Sequence, residues 1–579
     1  MPPLNRGTSA YHSIHSLYWR DESGTLLSAE GSNSQAFSNL WPKLWEEICS
    51  KQSTWRQLQL PSGRQINTLP IRADILELND IRSSFPPERQ TEGLITQVAE
   101  VKHPNGLVLG MLTSRPKSLA GDDFGTWAEH FILLETQFQP FKQLSIHSTP
   151  EHRRISEQVA DIFEKRLKNI SKDDQWDFGG RGHFMNRVYG FVERHMPILL
   201  CLPAFPCKSP NPSKVGGTIP DLAEHIALDV LRTFVQEICK VYQPGATLWI
   251  ISDGHVFSDC IGVDDTMVDT YDAKLIEIYK EKYPVEEGPV PFIQFKGLKD
   301  IFMSNQDAFS SFRESWVASM DIPHPVKTEL TKPSELCRKL MLGVSGADRR
   351  FIRACIEEQE PHALQLYRGQ TRFMLEDLAK VPSVEKLSTN QRKKVAAKVA
   401  QEMISRNQAY SNLVELLLPN YVRLSIHAHP NKGPKFAIRL LPKNLVRPII
   451  SLENRHEPVP AYKFQIPTPW HNSIIKIEGD ELMYLARADV AKLAVNGSNF
   501  EGSWVTSPNG GYFGLKRKGT KQATEKDTSI AVVSPTQDVE SQVEKSSDGN
   551  TWKILIPLRP LFSFTFFMRR VWRYIAMGS

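Results

Sequence analysis

Cysteine is scarce, with seven in 579 residues, an odd number and never spaced C-x-x-C. That disfavours both a disulfide framework and a cysteine zinc site, and it fits a reducing compartment. Long apolar runs are missing too: none approaches the roughly 18 to 20 residues that a membrane helix needs. The opening residues, Met-Pro-Pro-Leu-Asn-Arg, lack a basic stretch, an apolar core and a small-residue cleavage site, so a cytoplasmic protein is expected. Nor does one sign of charge dominate, because Lys+Arg 70 against Asp+Glu 65 leaves only +5, too little for a nucleic-acid coat. G-x-S-x-G, G-x-x-x-x-G-K-[ST], G-x-G-x-x-G and H-E-x-x-H are all absent, which removes support from the common hydrolase, nucleotide and metalloprotease readings. None of the sixteen histidines is followed two residues later by Asp or Glu, so the His-x-carboxylate arm of an Fe(II) oxygenase is lacking as well.

What remains is an ordinary globular composition, 40% apolar and 23% charged, enough for a large core. Residues 1–145 read as an α+β lobe, with a hairpin around Asn105-Gly106. From about 150, Ile155, Val159, Ile162, Phe163 and Leu167 recur at helical spacing. Ile198–Leu202 and Thr247–Ile251 are continuous apolar runs, read as strands buried on both faces. Between them a helix is expected, with the stripe Leu222, Ile226, Val230, Phe234 and Ile238 and a cap near Thr218-Ile-Pro-Asp221. Strand, loop, helix, strand is the grammar of a parallel α/β sheet. The expected organisation is an N-terminal lobe (1–145), a catalytic core (146–515), a Lys/Thr/Ser/Gln/Glu-rich disordered linker (516–550) and an apolar, basic segment (551–579). That last segment is expected either to pack or to make a weak membrane or partner contact. Six basic residues between Val384 and Tyr410 read as the solvated face of a helix over 391–418, since the interleaved aromatics of a nucleic-acid surface are missing.

Three stretches carry candidate chemistry. Pro203–Val215 joins a buried strand to a helix N-terminus, which puts Lys208, Ser209 and Lys214 where an anion docks in open α/β sheets; a proline-stiffened crossover with solvated lysines is the alternative. Ile250–Asp259 ends a strand at a glycine turn and presents Asp253, His255 and Asp259, a carboxylate–imidazole grouping suited to proton transfer, or equally a capped turn with a structural histidine. Tyr421–His429 alternates, with Arg423, Ser425, His427 and His429 on one face, and a glycine turn suggests an antiparallel return through Lys435 and Arg439. Leu366–Phe373 and Thr468-Pro-Trp-His471 have a similar character.

The strings Pro-Ala-Phe-Pro-Cys-Lys-Ser-Pro-Asn (203–211), Pro-Asp (220–221), Ser-Asp-Gly-His-Val-Phe-x-Asp (252–259), Tyr-Arg-Gly (367–369), Arg-Leu-Ser-Ile-His (423–427) and Thr-Pro-Trp-His (468–471) stand in one order along the chain. Together they resemble the isocyanide (isonitrile) synthase family, which includes the dityrosine spore-wall and pyoverdine/paerucumarin biosynthesis proteins. Within that family the chain most resembles the fungal stand-alone synthases, such as that of xanthocillin biosynthesis. The resemblance spans about residues 150–480. It implies a Rossmann-like, mostly parallel sheet flanked by helices. It also implies replacement of the α-amine of an aromatic amino acid, L-tyrosine first and tryptophan next, by an isonitrile carbon from ribulose 5-phosphate. No cofactor is expected, and no metal either, since proton-transfer and hydrogen-bonding roles explain His255, His427, His429 and His471 without the metal site they could otherwise form. Under it, Lys208, Asp253, His255, Asp259 and His427 become catalytic candidates, and Ser209, Lys214, Arg368, Arg423, Lys435 and His471 substrate-binding ones. Lys208 is considered both as a phosphate cation and as a Schiff-base amine. A separate oxygenase or cytochrome P-450 is expected to act downstream. Direct formation of N-formyltyrosine and a non-catalytic scaffold stay open as alternatives.

Overall fold

In the computed structural model the described residues are 148–518, apart from 172, 286–287, 304–320, 346–348, 419–420, 428, 458, 460–466 and 498, together with strands between 19 and 116. The centre is a five-stranded sheet of β1 (Ile198–Pro203), β2 (Ala246–Ile251), β3 (Ile293–Lys296), β4 (Val422–Ser425) and β5 (Lys435–Ala437), in the order β5-β4-β1-β2-β3. Every neighbouring pair in it is parallel. The continuous apolar runs of β1 and β2 follow from this position, since both faces are covered by helices and alternation has no use.

α1 (Pro150–Arg166), α2 (Arg181–Glu193) and α3 (Leu222–Val241) cover one side. Phe163 of α1 joins them: its ring stacks on Phe184 of α2 at 4.6 Å and meets Phe234 of α3 and Phe436 of β5 edge-on. Each such ring contributes roughly 1.5 to 3 kcal/mol of burial. α3 starts at a reciprocal cap, in which Asp221 accepts from the Ala223 N–H and Glu224 accepts from the Asp221 N–H. The cap thus falls at the end of the Thr218–Asp221 stretch.

On the other side lie α4 (Gly254–Ile261), α6 (Lys332–Ser345), α7 (Pro361–Asp377) and α8 (Thr389–Leu417), whereas α5 (Asp265–Lys282) packs on α3, Tyr271 donating to Glu224 and the following Tyr283 to Asp229. α8 carries the basic run largely as expected, with Lys393, Lys394 and Lys398 exposed. Arg406 departs from that pattern and is fully buried.

Two expectations need correction. The 421–441 stretch is not a hairpin: β4 and β5 run parallel, with Arg423 opposite Lys435. The loop 426–434 carries the chain back to the start of the sheet edge, so β5 adds in the same direction as β4. The second correction is a mixed sheet that the sequence reading did not foresee, made of β6 (Val446–Pro448), β7 (Ser473–Ile477), β8 (Met483–Ala486), β9 (Phe500–Val505) and β10 (Tyr512–Arg517). Its own core includes Ile475, Ile477, Tyr484, Phe513 and Leu515. β10 contains Lys516 and Arg517, so ordered chain continues past the expected boundary at 515. The rest of the expected linker and the 551–579 segment lie outside the described residues. In the N-terminal region, Leu94–Lys102 and Val108–Pro116 pair antiparallel, while the expected turn at Asn105-Gly106 lies outside the described residues.

Candidate active site

In a parallel sheet the carboxyl ends of the strands and the loops after them form the crevice where ligands bind. Three of these loops meet here, and a segment leading into the second sheet joins them.

The loop after β1 is pinned through Lys208, Ser209 and Lys214. Lys208 is buried, and its Nζ lies 2.8 Å from Asp221 Oδ2, 2.8 Å from Glu224 Oε2 and 3.0 Å from the Pro469 carbonyl oxygen. Glu224 also accepts from the Tyr271 hydroxyl. Burial alone would lower the lysine's pKa, but the two carboxylates outweigh it and raise the value. The third charge of this cluster has no cation of its own. Burial, with Glu224 beside it, pushes Asp221 up to about 7. Ser209 donates to Asp377 Oδ1 at the end of α7, and Lys214 Nζ lies 2.8 Å from the same oxygen and 4.1 Å above the Phe373 ring. The amines of Lys208 and Lys214 are therefore internal ion-pair partners. A Schiff base at Lys208, one of the roles considered for it, does not fit an ammonium whose three N–H bonds are all accepted.

The segment Pro469–His471 is a single turn just before β7. The Pro469 carbonyl takes Lys208, the Trp470 carbonyl takes the Ser209 N–H, and the Trp470 ring lies 5.2 Å from Phe205. His471 is thereby turned toward α7, its ring edge-on to Phe373 at 5.1 Å and its Nδ1 2.9 Å from the Thr468 hydroxyl. Burial, and secondarily the Lys214, His427 and Lys208 charges, lower its pKa to about 4, so the ring is neutral in use.

β4 and β5 supply cations, and the loop between them two more neutral histidines. Arg423 and Lys435 both donate to the Ser411 hydroxyl on α8, at 3.1 and 2.9 Å. His427 is solvent-reachable, yet desolvation and then Lys435 lower its pKa, the combination expected of a side chain lining a cleft. His429 is buried, with Nε2 2.8 Å from the Ser425 hydroxyl and its pKa well below the ordinary value through burial and the nearby cations.

The loop after β2 divides the acidic candidates. Asp253 stays at the sheet edge, where it and Arg423 both act on the buried Tyr410 phenol, which donates to the Ile251 carbonyl. Its Oδ1 is buried without a hydrogen-bond partner among the described residues, and burial pushes the carboxyl up to about 7. The turn is tight because Gly254 sits on the loop after β1: a Cβ there would come within 2.1 Å of the Pro206 oxygen. His255 and Asp259, four residues apart on α4, have different partners. His255 Nε2 lies 3.1 Å from Asp269 Oδ1 without the alignment of a hydrogen bond, and its backbone carbonyl accepts from Arg338. Asp259 is sealed against Arg406 and His324.

The structure therefore gathers Lys208, Ser209, Lys214, Asp253, Arg423, Lys435, His427 and His471 around one crevice. It pairs His255 with Asp269 and Asp259 with Arg406 and His324, so that neither has a described hydrogen bond to Asp253. Arg368 is exposed on α7, without a described contact to the crevice. Glu224, Phe373, Asp377, Tyr410 and Ser411 were missed. Glu224 stands three residues after Asp221, a spacing that signals a capping box, whereas the others carry no local signal.

A family model described as pyoverdine/dityrosine biosynthesis protein matches residues 188–497, which span the crevice loops. The chain belongs to that family. It is 40% identical over 407 residues to the spore wall maturation protein of Saccharomyces cerevisiae, covering 68% of this chain and 74% of that protein. It is 34% identical over 256 residues to an L-tyrosine isonitrile synthase of Xenorhabdus nematophila, covering 44% of this chain and 67% of the relative. An isocyanide synthase of Aspergillus fumigatus matches at 30% over 318 residues, 55% of this chain and 37% of that protein. The family assignment drawn from the motif strings agrees with these matches. Among the described residues, no helix is long and apolar enough to cross a membrane.

Proposed function

We propose that this family member is a cytoplasmic isonitrile synthase that converts the α-amine of L-tyrosine to an isonitrile with the ketone carbon of ribulose 5-phosphate. The observation that carries the reading is the pairing of Arg423 and Lys435 on adjacent parallel strands, both reaching the Ser411 hydroxyl on α8. Two fixed cations side by side suit a phosphate dianion. The condensation of an amine with a ketone, the loss of water and the later carbon–carbon cleavage each move protons. Asp253, with a carboxyl that titrates near neutrality, and the neutral rings of His427 and His471 are placed to accept and return them. Phe373 offers an aromatic edge for the amino acid side chain. Tyrosine is favoured by the likeness to the Xenorhabdus enzyme. An oxidative step to a vinyl isonitrile would fall to a separate oxygenase.

The test is incubation of the full-length protein with L-tyrosine and ribulose 5-phosphate labelled at the ketone carbon, with mass spectrometry of the products. Label in a tyrosine-derived isonitrile is the expected result, and unreacted substrates would end the proposal. A second reading, direct formation of a formamide, is supported by the 40% identity to a spore wall maturation protein. It predicts label in N-formyltyrosine without a preceding isonitrile.

A further inference from the structure

Lys208 lies in the string of residues most suggestive of covalent chemistry, yet it is among the most enclosed side chains of the crevice. Its three N–H bonds are spent on two carboxylates and one backbone carbonyl, and the carbonyl is that of Pro469. Pro469 belongs to the turn that ends in His471, two residues on. The next carbonyl in the turn, that of Trp470, is held by the Ser209 N–H. Consecutive residues of the first loop thus hold consecutive carbonyls of the turn, and the turn closes on itself through the bond from the His471 N–H to Thr468 O. The outcome of this stapling is the direction of one imidazole.

We infer that Lys208 is a positioning residue: its ammonium, anchored by Asp221 and Glu224, fixes the Pro469–His471 turn so that His471 faces the crevice, and it forms no covalent bond to substrate. The carboxylates are the reason a lysine is needed. A neutral side chain in its place would leave two acidic groups buried without a cation, and the turn without the donor that ties it to β1. The inference deepens the isonitrile reading and rests on it.

Two measurements test it. The first is borohydride treatment of the wild-type protein during turnover with ribulose 5-phosphate, followed by peptide mass mapping. An imine between the Lys208 amine and the sugar ketone, formed with loss of water, would be reduced to a stable secondary amine. The expected result is an unmodified Lys208, and a pentulose phosphate adduct on Lys208 overturns the inference. The second is a double-mutant cycle of Lys208→Met and His471→Gln, read in kcat and in KM for each substrate. Misplacement of a reacting group by about 1 Å costs on the order of 100-fold, so Lys208→Met is expected to lose about that much in kcat. In the His471→Gln background the same change is expected to cost under about three-fold, because the group it positions is already gone. Multiplicative losses would show that Lys208 acts independently of His471 and would overturn the inference. If Lys208→Met does not fold, Lys208→Arg, whose guanidinium keeps the charge and cannot form an imine, enters the same cycle with the same expectation. A wild-type protein that makes no labelled product removes the functional reading, whereas an active wild type with a trapped Lys208 removes only this inference.

Discussion

Arg406 grips Asp259 with two guanidinium nitrogens while neither side chain has any exposure. Burial alone would raise the Asp259 pKa, but Arg406 and His324 hold the carboxyl well below the usual range, so it stays ionised at any working pH. It is therefore a strut between α4 and α8. Removing one partner of such a pair leaves the other charge buried, at a cost of about 3 to 5 kcal/mol. Asp259→Asn should lower the urea midpoint accordingly, and an unchanged midpoint would contradict the strut.

His324 bridges this seam, with Nδ1 2.6 Å from Asp259 Oδ2 and Nε2 3.2 Å from Glu335 Oε1. The bond to Asp259 raises its pKa, against burial and the Arg406 charge. A histidine with a raised folded-state pKa adds stability that is complete below the unfolded value of about 6.5 and is lost as pH rises through the folded value. The stability difference between wild type and His324→Gln should therefore be largest in mild acid and vanish in alkali. A difference that grows with pH would reverse the assignment.

Asp253 gives a pH dependence of the same sign from a different cause, a carboxylate that burial penalises. Its folded pKa of about 7 lies above the usual carboxylate value, so the native state binds the extra proton and folding weakens as pH rises toward 7. Asp253→Asn should gain stability at pH 8 and lose turnover by about 100- to 10,000-fold, the usual range for a proton-transfer group. The wild-type limb near pH 7 in kcat/KM should go with it. Retention of that limb in Asp253→Asn would move the role to another group, Asp221 first.

Arg423 and Arg368 make a contrasting pair. Replacing Arg423 by Gln should raise KM for the sugar phosphate about 10- to 100-fold, from the loss of one charge-assisted hydrogen bond of about 1.5 to 3 kcal/mol. KM for tyrosine should change far less. Arg368→Ala, on the exposed side of α7, should leave both KM values within about two-fold. Equal effects of the two changes would rule out Arg423 and Lys435 as the phosphate site.

Gly254→Ala tests the turn that aims Asp253. The added methyl would meet the Pro206 oxygen at 2.1 Å and Val268 Cγ1 at 2.5 Å. Overpacking of this kind costs about 1 to 3 kcal/mol, and because the obstacle includes backbone, the two loops must part. Lower stability with a disproportionate loss of kcat is expected from thermal melts and kinetics together.

The parts of this molecule legible in its sequence are those with one-dimensional signatures. β1 and β2 announced themselves as unbroken apolar runs, α3 by its stripe, and the crevice loops by their place after strands. The hairpin reading of 421–441 failed because alternation and a glycine turn describe a strand's surroundings, not the direction of its neighbour. Arg423 and Lys435 would share a polar face under either pairing. His255 was grouped with Asp253 on sequence distance, but α4 begins between them and the imidazole lies against Asp269 of α5. Asp377 and Ser411 were invisible for a simpler reason: each is an ordinary polar residue on a helix, made relevant only by what the chain folds against it from 168 and 12 residues away. The mixed sheet was overlooked because its strands are short and split by turns, so none forms a long apolar run.

The turn that opens the mixed sheet carries His471, and it is tied to the loop after β1 through the carbonyls of Pro469 and Trp470. A molecule in which that turn had come away from the loop would keep its helices and most of its circular dichroism, yet have no assembled crevice. Specific activity in a preparation of this protein should consequently follow the fraction of molecules with a closed seam, and counting active sites by tight-binding titration will be a truer measure of sample quality than any spectrum of folding.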